Sequence, residues 1–132
     1  MIRKCFVIIG LLTLYLVLTN CNNSFSDGKR LYVQHCQSCH MEDGKGLRGL
    51  IPPLAQSDYL KNNFEKLPCI ILIGLYEEIE VNGRKYNRPM AGIGDLETFE
   101  VALIINYINH AWGNDAKYTD FREVEANLQN CQ

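Results

Sequence analysis

The sequence predicts an all-α domain interrupted by one small β-hairpin. Three observations carry that prediction. Residues 97 to 112 place Phe99, Val101, Ala102, Ile104, Ile105, Ile108 and Trp112 at the spacing of a long helix with a broad apolar face. Helix punctuation recurs upstream, at Asp27, Ser57 and Pro68. Strand signals gather at residues 79 to 86, where Ile79-Glu80-Val81 and Arg84-Lys85-Tyr86 flank Asn82-Gly83, the strongest two-residue hairpin signal. At 132 residues the chain allows one compact domain.

Residues 1 to 20 carry Arg3 and Lys4, then an apolar run from Phe6 to Leu18, the layout of a secretory signal peptide. The run is too short for a bilayer-spanning helix, which needs about 20 residues. Leu18-Thr19-Asn20-Cys21 resembles the lipobox of bacterial lipoproteins, with Asn20 in place of the usual small residue, and the resemblance implies lipid on Cys21. The expected layout is a lipoprotein-type signal peptide over 1–20, a short tether over 21–26, the domain over 27–113 and a C-terminal extension over 114–132. An ordinary secreted form and an uncleaved anchor are the alternatives; all three place the domain outside the cytoplasm, and the lipidated form is held at a membrane through its lipid. Arg3 and Lys4 leave with the leader and no acid does, so the net charge moves from −2 to −4. That balance argues against a nucleic-acid partner.

Within the domain, Asp27 caps a first helix running through Leu31 and Tyr32 towards Cys36. Asp43-Gly44-Lys45-Gly46-Leu47-Arg48-Gly49 is too glycine-rich for regular structure, and Pro52-Pro53 forbids a helix, so this stretch is a loop. Ser57 starts a second helix. A third covers Leu67 to Ile73, with Pro68 in its first turn and Gly74 closing it. Residues 87 to 94 are an irregular loop fixed by Pro89, Gly92 and Gly94. Beyond Gly113-Asn114 the extension is polar and mildly acidic, with Phe121 and Val124 as its apolar anchors.

The chemistry lies in Cys36-Gln37-Ser38-Cys39-His40. Two thiols three positions apart can add to the two vinyl groups of one porphyrin as thioethers, and the next residue, His40, is then held beneath the iron. One haem c, covalently bound through Cys36 and Cys39, is the expected cofactor. A zinc site would need two further ligands at suitable spacing, and His35, His110, Cys69 and Cys131 form no second knuckle; a thiol-redox Cys-x-x-Cys is the other alternative. A six-coordinate iron changes oxidation state with little rearrangement and has no position open for oxygen or peroxide. Met41 adjoins His40 too closely to reach the opposite haem face, which makes Met90 the expected second ligand; the alternatives are His110, His35 or none. Cys5 leaves with the leader and Cys21 takes lipid, so Cys69 and Cys131 remain, either as a disulfide or with Cys69 as a buried free thiol.

Residues 27 to 113 resemble the class I c-type cytochromes. Gly28 to Tyr32 and Cys36 to His40 look like that family's first helix, with Ile104 and Tyr107 where its last helix supplies contacts. Asp43-Gly44-Lys45-Gly46 and Ile51-Pro52-Pro53-Leu54 are similar to the loop in which a proline carbonyl, best matched by Pro52, accepts the proximal histidine's ring N–H. The order of Met90 is reversed relative to the common Met-Pro, with Pro89 before it. Arg48, Tyr86 and Trp112 are candidate donors to the haem propionates. The resemblance implies an all-α class I cytochrome c fold wrapped around one covalent haem, with first and last helices crossing. It implies a one-electron carrier, not an enzyme, serving extracytoplasmic or membrane-bound redox proteins such as a dehydrogenase, a quinol-oxidising complex or a terminal oxidase. A haem subunit or sensor of a larger complex, or a peroxidase-like enzyme, stays open.

Overall fold

The computed structural model describes residues 24–131; Cys21, the leader and the start of the tether lie outside the described residues. Six α-helices follow in chain order among them: α1 Ser24–His35, α2 Gln37–His40, α3 Asp58–Asn62, α4 Leu67–Ile73, α5 Thr98–His110 and α6 Phe121–Leu128. Four short strands intervene, β1 Gly74–Leu75, β2 Ile79–Val81, β3 Arg84–Tyr86 and β4 Met90–Ala91. None of these helices is long and apolar enough to cross a membrane.

The core is the crossing of α1 and α5. Leu31 and Tyr32 of α1 are buried against Val101, Ile104, Ile105 and Ile108 of α5. Burying each such side chain contributes about 1.5–3 kcal/mol. Gly28 sets the approach: a Cβ there would run into the Leu103 carbonyl and lie 2.9 Å from the Tyr107 Cβ. Helix α1 starts at Ser24, ahead of the expected Asp27 cap, and Asp27 sits inside its first turn, near Arg30. Helix α5 opens with a reciprocal Glu97/Glu100 capping box and stops at His110, short of Trp112. Trp112 and Gly113 have φ of 54° and 78°, so the chain turns back there, and the Trp112 ring meets Tyr32 and Tyr107 edge-to-face outside the helix.

The hairpin forms in the expected register, Ile79 opposite Tyr86 and Val81 opposite Arg84. Asn82 and Gly83 both have positive φ, as a turn matching strand twist requires. Its tip is bolted to α3: Asp58 N–H donates to Asn82 Oδ1 at 3.1 Å, and Asn82 N–H donates to Asp58 Oδ1 at 2.7 Å. Ser57 and Pro68 act as expected, Ser57 Oγ capping α3 and Pro68 lying in the first turn of α4. Two expectations change. The irregular loop at 87–94 contains β4, because α4 runs directly into β1 and presents a backbone edge on which Gly74 pairs with Ala91 and Leu75 with Met90. The extension also contains a helix, α6. Asp120 caps it, Val124 is fully buried, and Phe121, expected as an anchor, is 45% exposed. Asn106 of α5 reaches it through a reciprocal pair, donating to the Thr119 carbonyl at 2.9 Å and accepting from the Thr119 N–H at 2.8 Å. Cys69 of α4 is joined to Cys131 by a disulfide, so the free-thiol alternative does not hold.

Candidate functional site

Helix α1 ends one residue before Cys36, whose carbonyl accepts the Cys39 and His40 N–H groups at 3.1 and 2.9 Å. This tight turn splits the two cysteines: Cys36 is buried, Cys39 is exposed, and both are free thiols. His40 is turned inward and 7% exposed. Its Nδ1 lies 3.2 Å from the Pro52 carbonyl, which can only accept, so Nδ1 carries the proton. The lone pair of the neutral ring is therefore on Nε2, as a metal-binding imidazole needs. Burial holds the ring below the ordinary imidazole value, with the Pro52 contact pulling the other way.

Glycine makes that contact possible. Gly46, at φ 62°, has a backbone that L side chains rarely adopt, and a Cβ on it would lie 2.6 Å from the Pro52 carbonyl oxygen itself. The other side of the turn is fixed by Tyr32, whose hydroxyl donates to the Met41 carbonyl at 2.6 Å.

Cys36, Cys39, His40, Pro52 and Met90 meet around one cavity of about 450 Å³. Cys36, His40, Pro52 and Met90 also line a recess of about 80 Å³ whose surface is apolar, floored by Leu67, Ile71 and Ile105 among others. The larger cavity falls within the range of about 300–1,000 Å³ common for cofactor sites. Donor chemistry fits a haem: two unpaired thiols at thioether spacing, a buried imidazole with its outer nitrogen committed, a thioether on the same cavity, and apolar walls. It does not fit the alternatives. Burial, with Cys39 beside it, pushes the Cys36 thiol up to about 11, whereas a redox Cys-x-x-Cys depends on a lowered value. Among the described residues no group of three or more His, Cys, Asp or Glu side chains could hold a metal ion.

Of the candidate propionate donors, Tyr86 lines the cavity. The Trp112 Nε1–H is committed to the Glu42 carbonyl at 2.9 Å, and Arg48 is exposed and absent from the cavity wall. His110 gives its Nδ1 to the Asn106 carbonyl and lies off the cavity, whereas His35 lines it. Sequence reasoning did not single out Glu77 or Arg88, which also line the cavity. Arg88 stands two residues before Met90, and that proximity was the available signal.

A family model described as cytochrome c matches residues 25–112. Two proteins named cytochrome c-552, both from Thermus thermophilus, are each 37% identical over 105 residues, covering 76% of this chain and 79% and 70% of theirs. A cytochrome c subunit of a quinone alcohol dehydrogenase from Gluconobacter oxydans is 28% identical over 104 residues, covering 77% of this chain and 22% of its own length.

Proposed function

Because the chain belongs to the cytochrome c family, in which haem c is covalently bound and electron transfer is the function, we propose that it is a one-electron carrier with a single haem held by Cys36 and Cys39 and ligated by His40 and Met90. The observation that supports this most directly is that His40 and Met90, fifty residues apart in sequence, line the same cavity as both thiols. Haem supplies the one-electron chemistry at iron. The chain's own residues do the rest. Cys36 and Cys39 tether the group, and the Pro52 carbonyl fixes the His40 ring and strengthens it as a donor. Leu67, Ile71 and Ile105 exclude water, and the Met90 thioether raises the reduction potential relative to a second histidine. The exposed position of Cys39 supports an exit for electrons at that edge.

The partners we propose are extracytoplasmic or membrane-bound redox proteins, a dehydrogenase, quinol-oxidising complex or terminal oxidase, met through small transient contacts. Lipidated Cys21 would keep the domain at the membrane surface, and neither an enzymatic reaction nor nucleic-acid binding is part of this reading. The test is the absorption spectrum of the haem-loaded protein. A weak long-wavelength ferric band, lost in Met90→Ala together with a fall in potential, is expected. A high-spin spectrum with ready binding of peroxide or carbon monoxide in the unmodified protein would overturn the carrier reading. The dehydrogenase-subunit relative favours a second reading, a bound subunit of a larger complex. Stable co-purification with one oxidoreductase would select it.

A further inference from the structure

Helix α4 has seven residues, and Lys66, the residue at its N-terminal boundary, makes no side-chain capping bond. So short a helix does not hold itself, since isolated helices below about 12–15 residues are marginal in water. Its place is set by what it is tied to. On one side Cys69 is bonded to Cys131, three residues beyond the end of α6. On the other side α4 carries the backbone on which Met90 rests. The Ile93 N–H donates to the Ile71 carbonyl at 2.8 Å, Leu75 pairs with Met90, and Gly74 with Ala91. Gly92 packs so closely on the Leu72 and Ile73 backbone that no Cβ would fit. Residues 90 to 93 are thus templated by the last turn of α4 and by β1, and Cys69 is about 6 Å along the axis from Ile73, at 1.5 Å per residue.

We propose that the Cys69–Cys131 disulfide is a positioning device for Met90: by pinning α4 from the C-terminal extension, it holds the strand that presents the thioether to the iron. This rests on the reading that Met90 is the axial ligand. Without the bridge, α4 keeps Leu67 and Ile71 in the core but loses its covalent tie. The Met90 strand moves with it, and the thioether competes less well for the iron. A dithiol reductant breaks the bridge with balanced chemistry: two electrons and two protons pass to the S–S bond, two thiols form, and the dithiol closes to its own disulfide.

The experiment titrates the ferric, haem-loaded full chain with imidazole and follows loss of the long-wavelength band. Five samples are compared: the unmodified protein; Cys69→Ser with Cys131→Ser; Met90→Ala; Asn106→Ala; and unmodified protein reduced with a dithiol, capped with iodoacetamide and reoxidised with ferricyanide. The last keeps the test open if the serine variant does not fold. Bridge loss by either route should tighten imidazole on the order of tenfold, within the 5–150-fold range usual for coupled sites. Asn106→Ala, which loosens the extension without touching α4, should lower the melting temperature and leave imidazole affinity within about twofold. Equal affinity with and without the bridge, or equal tightening in Asn106→Ala, overturns the proposal. A band that survives in Met90→Ala instead overturns the ligand reading beneath it.

Discussion

Replacing Gly46 with alanine tests how the loop supports His40. The new methyl group meets two penalties. Gly46 has φ 62°, a left-handed backbone that costs an L-residue roughly 1–2 kcal/mol. The Cβ would also lie 2.6 Å from the Pro52 carbonyl oxygen, so that oxygen must withdraw from the His40 Nδ1–H it now faces at 3.2 Å. Losing that hydrogen bond costs about 0.5–1.5 kcal/mol. Together these give about 1.5–3.5 kcal/mol, which for a domain near 100 residues lowers the melting temperature by roughly 6–20 °C. A second readout belongs to the site alone. An imidazole that donates less strongly to its carbonyl is less basic and stabilises the ferric iron less, so the potential should rise. At 59 mV per tenfold for one electron, a 1 kcal/mol change felt by one oxidation state is about 40 mV. Differential scanning calorimetry and potentiometric titration of the haem-loaded variant measure the two effects. A melting temperature within about 2 °C of the parent with an unmoved potential would refute the reasoning, and a stability loss without a potential shift would refute the link to His40.

Other perturbations separate the remaining supports. Gly28→Ala should force α1 and α5 apart where the methyl group meets the Leu103 carbonyl and the Tyr107 Cβ, costing at least the 1–3 kcal/mol typical of overpacking in urea unfolding; a neutral result would mean the helices separate freely. Asn106→Ala leaves the Thr119 N–H and carbonyl buried without their partners, so a loss of about 2–4 kcal/mol is expected, along with faster hydrogen exchange through α6. In contrast, Lys85→Ala removes an exposed pair with Glu78 at 2.8 Å and should leave the urea midpoint almost unmoved, with what shift there is lost in added salt. Asn82→Ala removes the Oδ1 that accepts the Asp58 N–H but keeps the backbone N–H that donates to Asp58 Oδ1, so it should cost about 0.5–1.5 kcal/mol and speed exchange at Ile79 and Val81.

The parts of this protein readable from sequence are those fixed by neighbours in the chain. Cys36, Cys39 and His40 sit within one turn, so their spacing specifies what they can hold. Asn82-Gly83 dictates its own turn, Ser57 caps its own helix, and Pro68 marks the start of α4. The all-α plan followed from such local signals, and the family resemblance ordered them. What lay beyond them depends on groups that meet only after the chain closes. The strand at Met90 exists because α4 leaves a backbone edge opposite it. The extension is a packed helix because Asn106 and Thr119 satisfy one another and Cys131 reaches Cys69, 62 residues away. Trp112 lies outside α5, where its ring meets Tyr32 and Tyr107 edge-to-face and its N–H donates to the Glu42 carbonyl, partners that no periodicity in the α5 sequence records. Sequence periodicity records one element's own apolar face; it carries no measure of the distance at which a carbonyl, a thiol or an amide from elsewhere will find it.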